Sequence, residues 1–518
     1  MIPFLGLLSI TRMLALTRTR AQGMPDGTSA PRVWWALSCL CLICRFATPL
    51  QSAVYGLRII DASTGVGIPL VECKTTQQTT YWSDSAGYVV IHEPGLDGEE
   101  MFLHLRSDGY QIKADGFGYQ GTRITLKPNQ TSLVQINRTQ PAERVGRITG
   151  IGRYRDAQLL GVKPYIDWQE PSLQVAGQDS SQGVVFGRNI YWFWGDTSIL
   201  RYPLGNFRTT GATSSKDVNP PLVAWSYFLD GGGLPKPMFP MFPAGDLVWV
   251  DGLCVLQDAS GQERMVVHYS RRESLEKQLE HGLAAFDTEE NRFEILVSFD
   301  LENQWQHLRG HPLTTHHGDQ TYLQFGDVYA HIRVPKMWEA IQDPNAYESF
   351  GPSKEPGGSY VWRRHLPPVT SKQESSWVEN QVMRESDCWT LSRHATTGDW
   401  IQLHRGSVRW NPYLKKYILI ANQIGGSSML GEVFYGESEK PEGPWPKVVK
   451  IASHQRMSFY NPVQREFWDE QGGRVIYFEG TYVTTFSGHE HPVPRYDYNQ
   501  LLYRLDLEHG SLRELRTP

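Results

Sequence analysis

From Val54 onward the chain consists of short runs in which apolar and polar residues alternate, separated by clusters of Gly, Asn, Asp, Ser and Pro. Side chains two apart on a strand share a face, so a period of two predicts half-buried strands, and the turn clusters make neighbours antiparallel. Between Val54 and about Thr139 the runs are YGLRIID, LVECKTT, YWSDSAGYVVIHEP, MFLHLRSDGY, TRITLKP and TSLVQINR, with the turn cluster ASTGVGIP after the first and a tight turn at Ser85-Ala86-Gly87. They predict a small antiparallel β-sandwich of roughly six or seven strands.

Gln140 to Trp168, with its Gly-rich ITGIGRY, reads as a linker and a first crossing. Five stretches of similar character come after it. The first is QDSSQGVVFGRNIYWFWGDTS. The second is GDLVWVDGLCVLQDASGQERMVVHYSR with LAAFDTEENRFEILVSF, and the third is HHGDQTYLQFGDVYAHIRVP. SVRWNPYLKKYILIANQIGG with LGEVFYGES makes the fourth, and FYNPVQREFWDEQGGRVIYFEGTYVTTFS with YNQLLYRLDLEHG the last. Long helical periodicity is hard to find. Antiparallel units repeated in this way predict a propeller of five blades, against a large two-sheet sandwich or a β-helix.

The N-terminal segment has a different pattern. Arg32 precedes an apolar run, Val33 to Cys44, and small and turn-forming residues lead to Ala53. That order describes a secretory signal, with the mature chain beginning near Val54 and Met24 an alternative start. The run is shorter than the roughly 20 apolar residues of a membrane span. Arg45 directly behind it and Gln51 before the exit keep a retained anchor as the alternative. A chain starting near Gln140 is expected to fold without the sandwich, because ring closure should need only residues beyond the sandwich.

Composition adds three constraints. A net charge of −5 over 518 residues leaves no basic footprint for nucleic acid. The 17 Trp, 24 Tyr and 20 Phe suit both blade cores and sugar stacking. Three of the six cysteines lie in the N-terminal segment, and Cys73, Cys254 and Cys388 are scattered, so neither a disulfide framework nor a cysteine zinc site is indicated. The sequons at Asn129 and Asn137 matter only in a glycosylating host.

The most informative chemistry is the pair Asp179 and Asp196. With Arg188 and Asn189 as the hairpin turn, Asp196 faces Ser181 and Asp179 is its diagonal neighbour on the same face, roughly 7–8 Å away. Carboxyl groups about 6.5–9.5 Å apart suit inverting glycoside hydrolysis, one protonating the leaving oxygen and the other activating water. The acid is sought among residues in apolar text, where desolvation raises a carboxyl pKa. Glu432 in LGEVFYGES comes first, then Glu479 in IYFEGTY, which also counts as a substrate contact, and then Asp251 after LVWV. Arg409, Trp410, Arg495, Tyr496 and Tyr498 complete the expected ligand contacts. His316-His317 and His489-x-His491 lack a third ligand at fixed spacing, so no metal site is assigned. No cofactor is expected, although a structural calcium is compatible with the chain. Nucleophile-elbow, phosphate-loop and dinucleotide motifs are absent from the sequence.

Two family resemblances rest on these residues. Asp61, Thr64, Gly65, Pro69, Asp84, Gly87, Gly109 and Tyr110 fall in a pattern that resembles the carboxypeptidase-regulatory-like (transthyretin-like) domain, usually an accessory module. The aromatic strand ending Gly195-Asp196-Thr197 resembles the five-bladed glycosidase propellers, arabinanase-type and related families of unknown function. So do Trp410, Asn411, Pro412, Lys416 and Tyr417, and Ser438, Pro441, Gly443, Pro444 and Trp445. The resemblance runs from about Gly177 and departs from the pattern at Arg409, where many relatives carry an acid. It implies a carbohydrate-active propeller. The expectation is therefore an all-β chain: a targeting segment at 1–53, a sandwich at 54–139 and a five-bladed propeller at 140–518. It would be exported, act on a polysaccharide or oligosaccharide, and have no membrane span once mature. A non-catalytic glycan- or surface-binding propeller is the alternative. A polysaccharide lyase using Tyr496 and Arg495 is a third reading.

Overall fold

The structure is a computed structural model that describes residues 54–163, 174–206, 208–240, 242 and 247–516. The expected targeting segment at 1–53 lies outside the described residues. Among the described residues the regular structure is mostly strand, with few and short helices. No helix among the described residues is long and apolar enough to cross a membrane.

The first unit is a sandwich of two four-stranded sheets. One has the order Tyr88–Ile91, Tyr55–Asp61, Thr131–Arg138, Tyr110–Gln111, and the other Thr80–Trp82, Glu72–Thr75, Glu100–Arg106, Gly121–Thr125. Leu57, Ile59, Val71, Cys73, Val89 and Leu103 are among its closely packed core residues. It departs from the expected antiparallel pattern at one place. Tyr55–Asp61 runs parallel to Thr131–Arg138, Gly56 facing Thr131 and Asp61 facing Ile136. Parallel neighbours need a long crossover, and here the six intervening strands supply it.

Five further sheets form the propeller. Blade 1 is Gln182–Phe186, Asn189–Trp194, Thr210–Ser215 and Ser226–Tyr227. Blade 2 is Leu247–Gln257, Glu263–Arg272, Gln278–Asp287 and Arg292–Phe299. Blade 3 begins at Leu313–His317 and carries five strands. Blade 4 carries six, from Leu403–Asn411 at one edge to Trp400–Ile401 at the other. Blade 5 is Ser458–Gln464, Val475–Val483 and Asn499–Asp506, and its outer strand is Glu143–Arg147. That last pairing, Leu501 facing Arg147 and Arg504 facing Glu143, zips the start of the ring to its end. Closure removes the exposed edges an open array would present.

The aromatic richness is largely spent between blades. Trp192, Trp194, Trp225 and Trp468 pack together where blade 1 meets blade 5. In the same seam Arg465 and Glu479, both almost fully buried, form an ion pair at 2.6 Å. Arg465 also donates to Ser181 O at 3.0 Å and Ser181 Oγ at 2.9 Å, and its guanidinium lies over the Trp192 ring.

Sandwich and propeller share buried polar contacts. Arg144, 2% exposed, donates to Ser107 Oγ at 2.9 Å and Asp108 O at 2.7 Å. The Tyr496 hydroxyl donates to Ser83 O at 2.8 Å and accepts from Leu70 N, and Leu70 itself belongs to the core of blades 4 and 5. Asp84 accepts from Ala157 N, while Asp156 accepts from Val90 N. A chain starting at Gln140 would uncover Arg144 and Tyr496 and leave a cavity where Leu70 packs into the core of blades 4 and 5. Contrary to the expectation from sequence, we predict that it melts well below the full chain, and that the full chain unfolds in one calorimetric transition. Two independent transitions would show the units to be separable.

Candidate functional site

All five blades open onto one funnel of about 1510 Å³. Its wall is built by a device repeated from blade to blade. The innermost strand is interrupted near the funnel, often by a residue with left-handed backbone, and a polar side chain sits beside the break. Asp179 precedes Ser180 (φ 50°), Asp251 precedes Gly252 (φ 64°) and Tyr460 precedes Asn461 (φ 51°), while Gly310 (φ 60°) lies between Arg309 and His311. Ladder irregularities fall at the same level in blades 2, 4 and 5, between Asp251 and Cys254, Leu403 and Gly406, and Tyr460 and Val463. Such bulges bend a strand and re-aim its side chains, and here they set polar groups along the funnel wall.

The hairpin of blade 1 differs from expectation in its register. Phe186 faces Asn189 and Gln182 faces Phe193, so Gly187 and Arg188 form the turn, with Gly187 at φ 60°. Glycine takes that conformation without steric cost, and this decides the turn against Arg188-Asn189. Asp179 and Asp196 consequently sit opposite one another instead of diagonally. Gly195 N donates to Asp179 O at 2.9 Å, and Asp179 N donates to Asp196 O at 3.3 Å. A Cβ on Gly195 would stand 2.3 Å from Asp179 Oδ1, so glycine there makes room for the carboxyl group.

Electrostatics separates the acids. Burial, and then the charge of Asp196, pushes Asp179 up to about 7, while hydrogen bonds from Tyr460 and Tyr498 work against the rise. The Tyr460 hydroxyl donates to Asp179 Oδ2 at 2.5 Å. Asp196 is raised by burial and opposed by the Trp249 indole, whose Nε1–H donates to Asp196 Oδ1 at 2.9 Å. Asp251 is raised by burial, with the Arg405 charge opposing, and accepts from Gln182 Nε2 at 3.2 Å. Asp327 goes the other way. Burial would raise it, but Arg405 and Arg309, at 3.5 and 3.4 Å, outweigh that and lower its pKa. His311 is held well below its usual value by burial and by Arg465, Arg409 and Arg405, and so stays neutral.

No protein-family model matches the sequence, and no curated protein matches it. Among solved structures, an exo-β-1,3-galactanase from Phanerochaete chrysosporium with galactotriose shares 13% identity over 65% of this chain and 65% of that chain, at TM-score 0.35. The chain thus spans just under two thirds of that protein's length. An endo-1,5-α-L-arabinanase from Thermotoga petrophila shares 11% over 67% and 74%, at TM-score 0.33. The Cellvibrio cellulosa α-L-arabinanase with arabinohexaose shares 13% over 64% and 92%, at TM-score 0.33. Likeness this low decides neither fold nor activity, and the five-bladed ring is read from this chain's own strand order.

Of the residues singled out in the sequence, Asp179, Asp196, Asp251 and Tyr498 line the funnel. The others are not among its lining residues. Glu432 is buried in blade 4, where it accepts from Ser427 Oγ at 2.5 Å and Ser453 Oγ at 3.1 Å, with Lys450 Nζ at 3.4 Å. Glu479 lies in a strand buried along its whole length and pairs with Arg465. Arg409 is buried behind the wall, donating to His311 O at 2.8 Å with Glu466 at 3.4 Å. Trp410 is half-exposed at the strand's end, edge-on to Tyr417. Arg495 reaches Asp156 at 3.8 Å, and Tyr496 is consumed by the sandwich contact. His316 meets Thr321, and His491 meets Glu72. The sequence reading missed Asp327, Arg309, Arg405, His311 and Tyr460. The dipeptides Asp-Ser, Asp-Gly, Arg-Gly and Tyr-Asn at corresponding points of successive blades were the available signal.

Proposed function

We propose that the chain hydrolyses glycosidic bonds in a polysaccharide or oligosaccharide, with Asp179 as the proton-holding acid and Asp196 as its ionised partner. The observation that carries this reading is the directly opposed pair on the funnel wall, with Asp179 raised to about 7. Two close carboxyl groups cannot both ionise readily, so one retains a proton near neutral pH and the other is available as base or nucleophile. Direct opposition brings them closer than the diagonal register that suited inversion. Asp251, Arg405 and Asp327 then serve as polar wall, positioned to hold sugar hydroxyls.

The non-catalytic reading expects acids scattered around the rim, whereas Asp179, Asp196, Asp251 and Asp327 converge on one funnel. Tyr496 and Arg495 lie away from it, which removes the residues on which the lyase reading depended. We further propose that the ring is an arabinanase-type propeller with a transthyretin-like accessory sandwich. The chain is proposed to be exported, which N-terminal sequencing of secreted material beginning near Val54 would support.

The test is a screen of wild type and the Asp179 and Asp196 variants on plant, algal and bacterial polysaccharides, read by released reducing sugar. Binding without release from any of them would favour the non-catalytic reading. The site also has an expected pH dependence. An acid must be protonated to act, so with Asp179 near 7 the rate should fall as pH rises through about 7. A rate that instead climbs through that range would place Asp179 as the base.

A further inference from the structure

We propose that His268, His281 and His307 form a binding site for one divalent transition-metal ion of the zinc class, at the edge of the funnel. This inference is independent of the glycosidase reading. His268 stands on Glu263–Arg272 and His281 on the neighbouring strand Gln278–Asp287 of blade 2. His268 faces Leu283 and Ser270 faces His281, so the two histidines are diagonal neighbours on one face of the sheet. His307 comes from the link into blade 3. All three are buried, and one ligating atom from each lies within 4.8 Å of the others.

Three features suit a metal ion. First, His268 Nε2 and His281 Nδ1, hydrogen-bonded to one another at 3.1 Å, already stand close to the ~3.3 Å between two imidazole nitrogens on a tetrahedral zinc with bonds of about 2.0–2.1 Å. Second, His281 Nε2 lies 2.8 Å from Asp300 O, so its N–H donates to that carbonyl and Nδ1 is left as a lone pair. Outer-shell carbonyls orient metal-binding histidines in this way. Third, His307 Nδ1 is buried with no hydrogen-bond partner.

The neighbouring cation Arg309 is balanced by Asp327 at 3.4 Å. His307 stacks on His268 with centroids 3.7 Å apart, and a turn of its ring about Cβ–Cγ is needed to bring its plane onto the ion. Because His268 and His307 line the funnel, the fourth valence is open to water or a ligand hydroxyl.

The experiment uses the full chain without a histidine tag, stripped by chelator and titrated with Zn(II) by calorimetry and with Co(II) by visible absorption. The expected result is one ion per chain and the intense visible band of four-coordinate Co(II). His307→Gln should weaken Zn(II) binding at least tenfold, and His489→Gln/His491→Gln should leave it unchanged. Failure of wild type to take up a stoichiometric ion would overturn the proposal, as would unaltered affinity in His307→Gln, leaving a hydrogen-bonded His268–His281 pair with His307 stacked on it. Should His307→Gln fail to fold, X-ray absorption of the wild-type zinc complex decides. Three imidazoles at about 2.0–2.1 Å support the site, and fewer overturn it.

Discussion

Asp179→Asn is expected to leave the ring folded and glycan binding intact while turnover falls by about 10²–10⁴-fold. The amide still accepts the Tyr460 hydroxyl but has no proton to deliver. The same substitution should stabilise the protein, and linkage gives the sign. Asp179 has a folded pKa of about 7 against an ordinary 3.8, so the native state holds this proton more tightly than the unfolded chain. Stability from that source is present below the unfolded value and lost as pH rises toward 7. The variant has no such proton to lose. It should therefore exceed wild type in denaturant midpoint at about pH 8 and show no such gain at about pH 4. Asp196→Asn should also suppress turnover. By removing the like charge, it should lower the pKa of Asp179. Full activity of both variants on a glycan that wild type hydrolyses would discard this pair as the site.

The strand content and the five-part ring were legible because a period of two and turn chemistry are local properties. The carboxyl pair was legible for a subtler reason. Moving the turn from Arg188-Asn189 to Gly187-Arg188 shifts the pairing by two residues, and a shift of two preserves the face on which each side chain lies. The face was thus right although the partner was wrong. Glu432 and Glu479 misled because apolar text marks burial in general, whereas the funnel is lined chiefly by innermost strands and the loops at their ends. Glu479 sits in the second strand of blade 5, in VIYFEGTYV, where neighbouring strands and blades cover both faces. Tyr496 looked like a ligand contact because tyrosine serves equally well as a buried hydrogen-bonding bridge. The helix Ser371–Glu379 between blades 3 and 4 has a readable start at Thr370 and Gln373, a capping box that a search for period-two alternation does not register.

Glu479→Gln is expected to be the most destabilising of these single substitutions, costing about 3–5 kcal/mol, because it leaves the Arg465 charge buried beside an uncharged partner. Burial lowers Arg465, and Glu479 is the chief group opposing that, so losing the carboxylate removes its main compensation. Arg465 also holds Ser181 O and Oγ, two residues beyond Asp179, so its release should loosen the wall that positions the acid. Activity should consequently fall together with stability. The double variant Glu479→Gln/Arg465→Met should recover part of the loss, since an uncharged, well-packed pair avoids desolvating an unpaired ion. Denaturant unfolding of wild type, the two single variants and the double variant gives the coupling between the two sites directly. If Glu479→Gln instead keeps wild-type stability and only weakens glycan binding, Glu479 is a ligand contact after all, and the seam between blades 1 and 5 is held by its tryptophans.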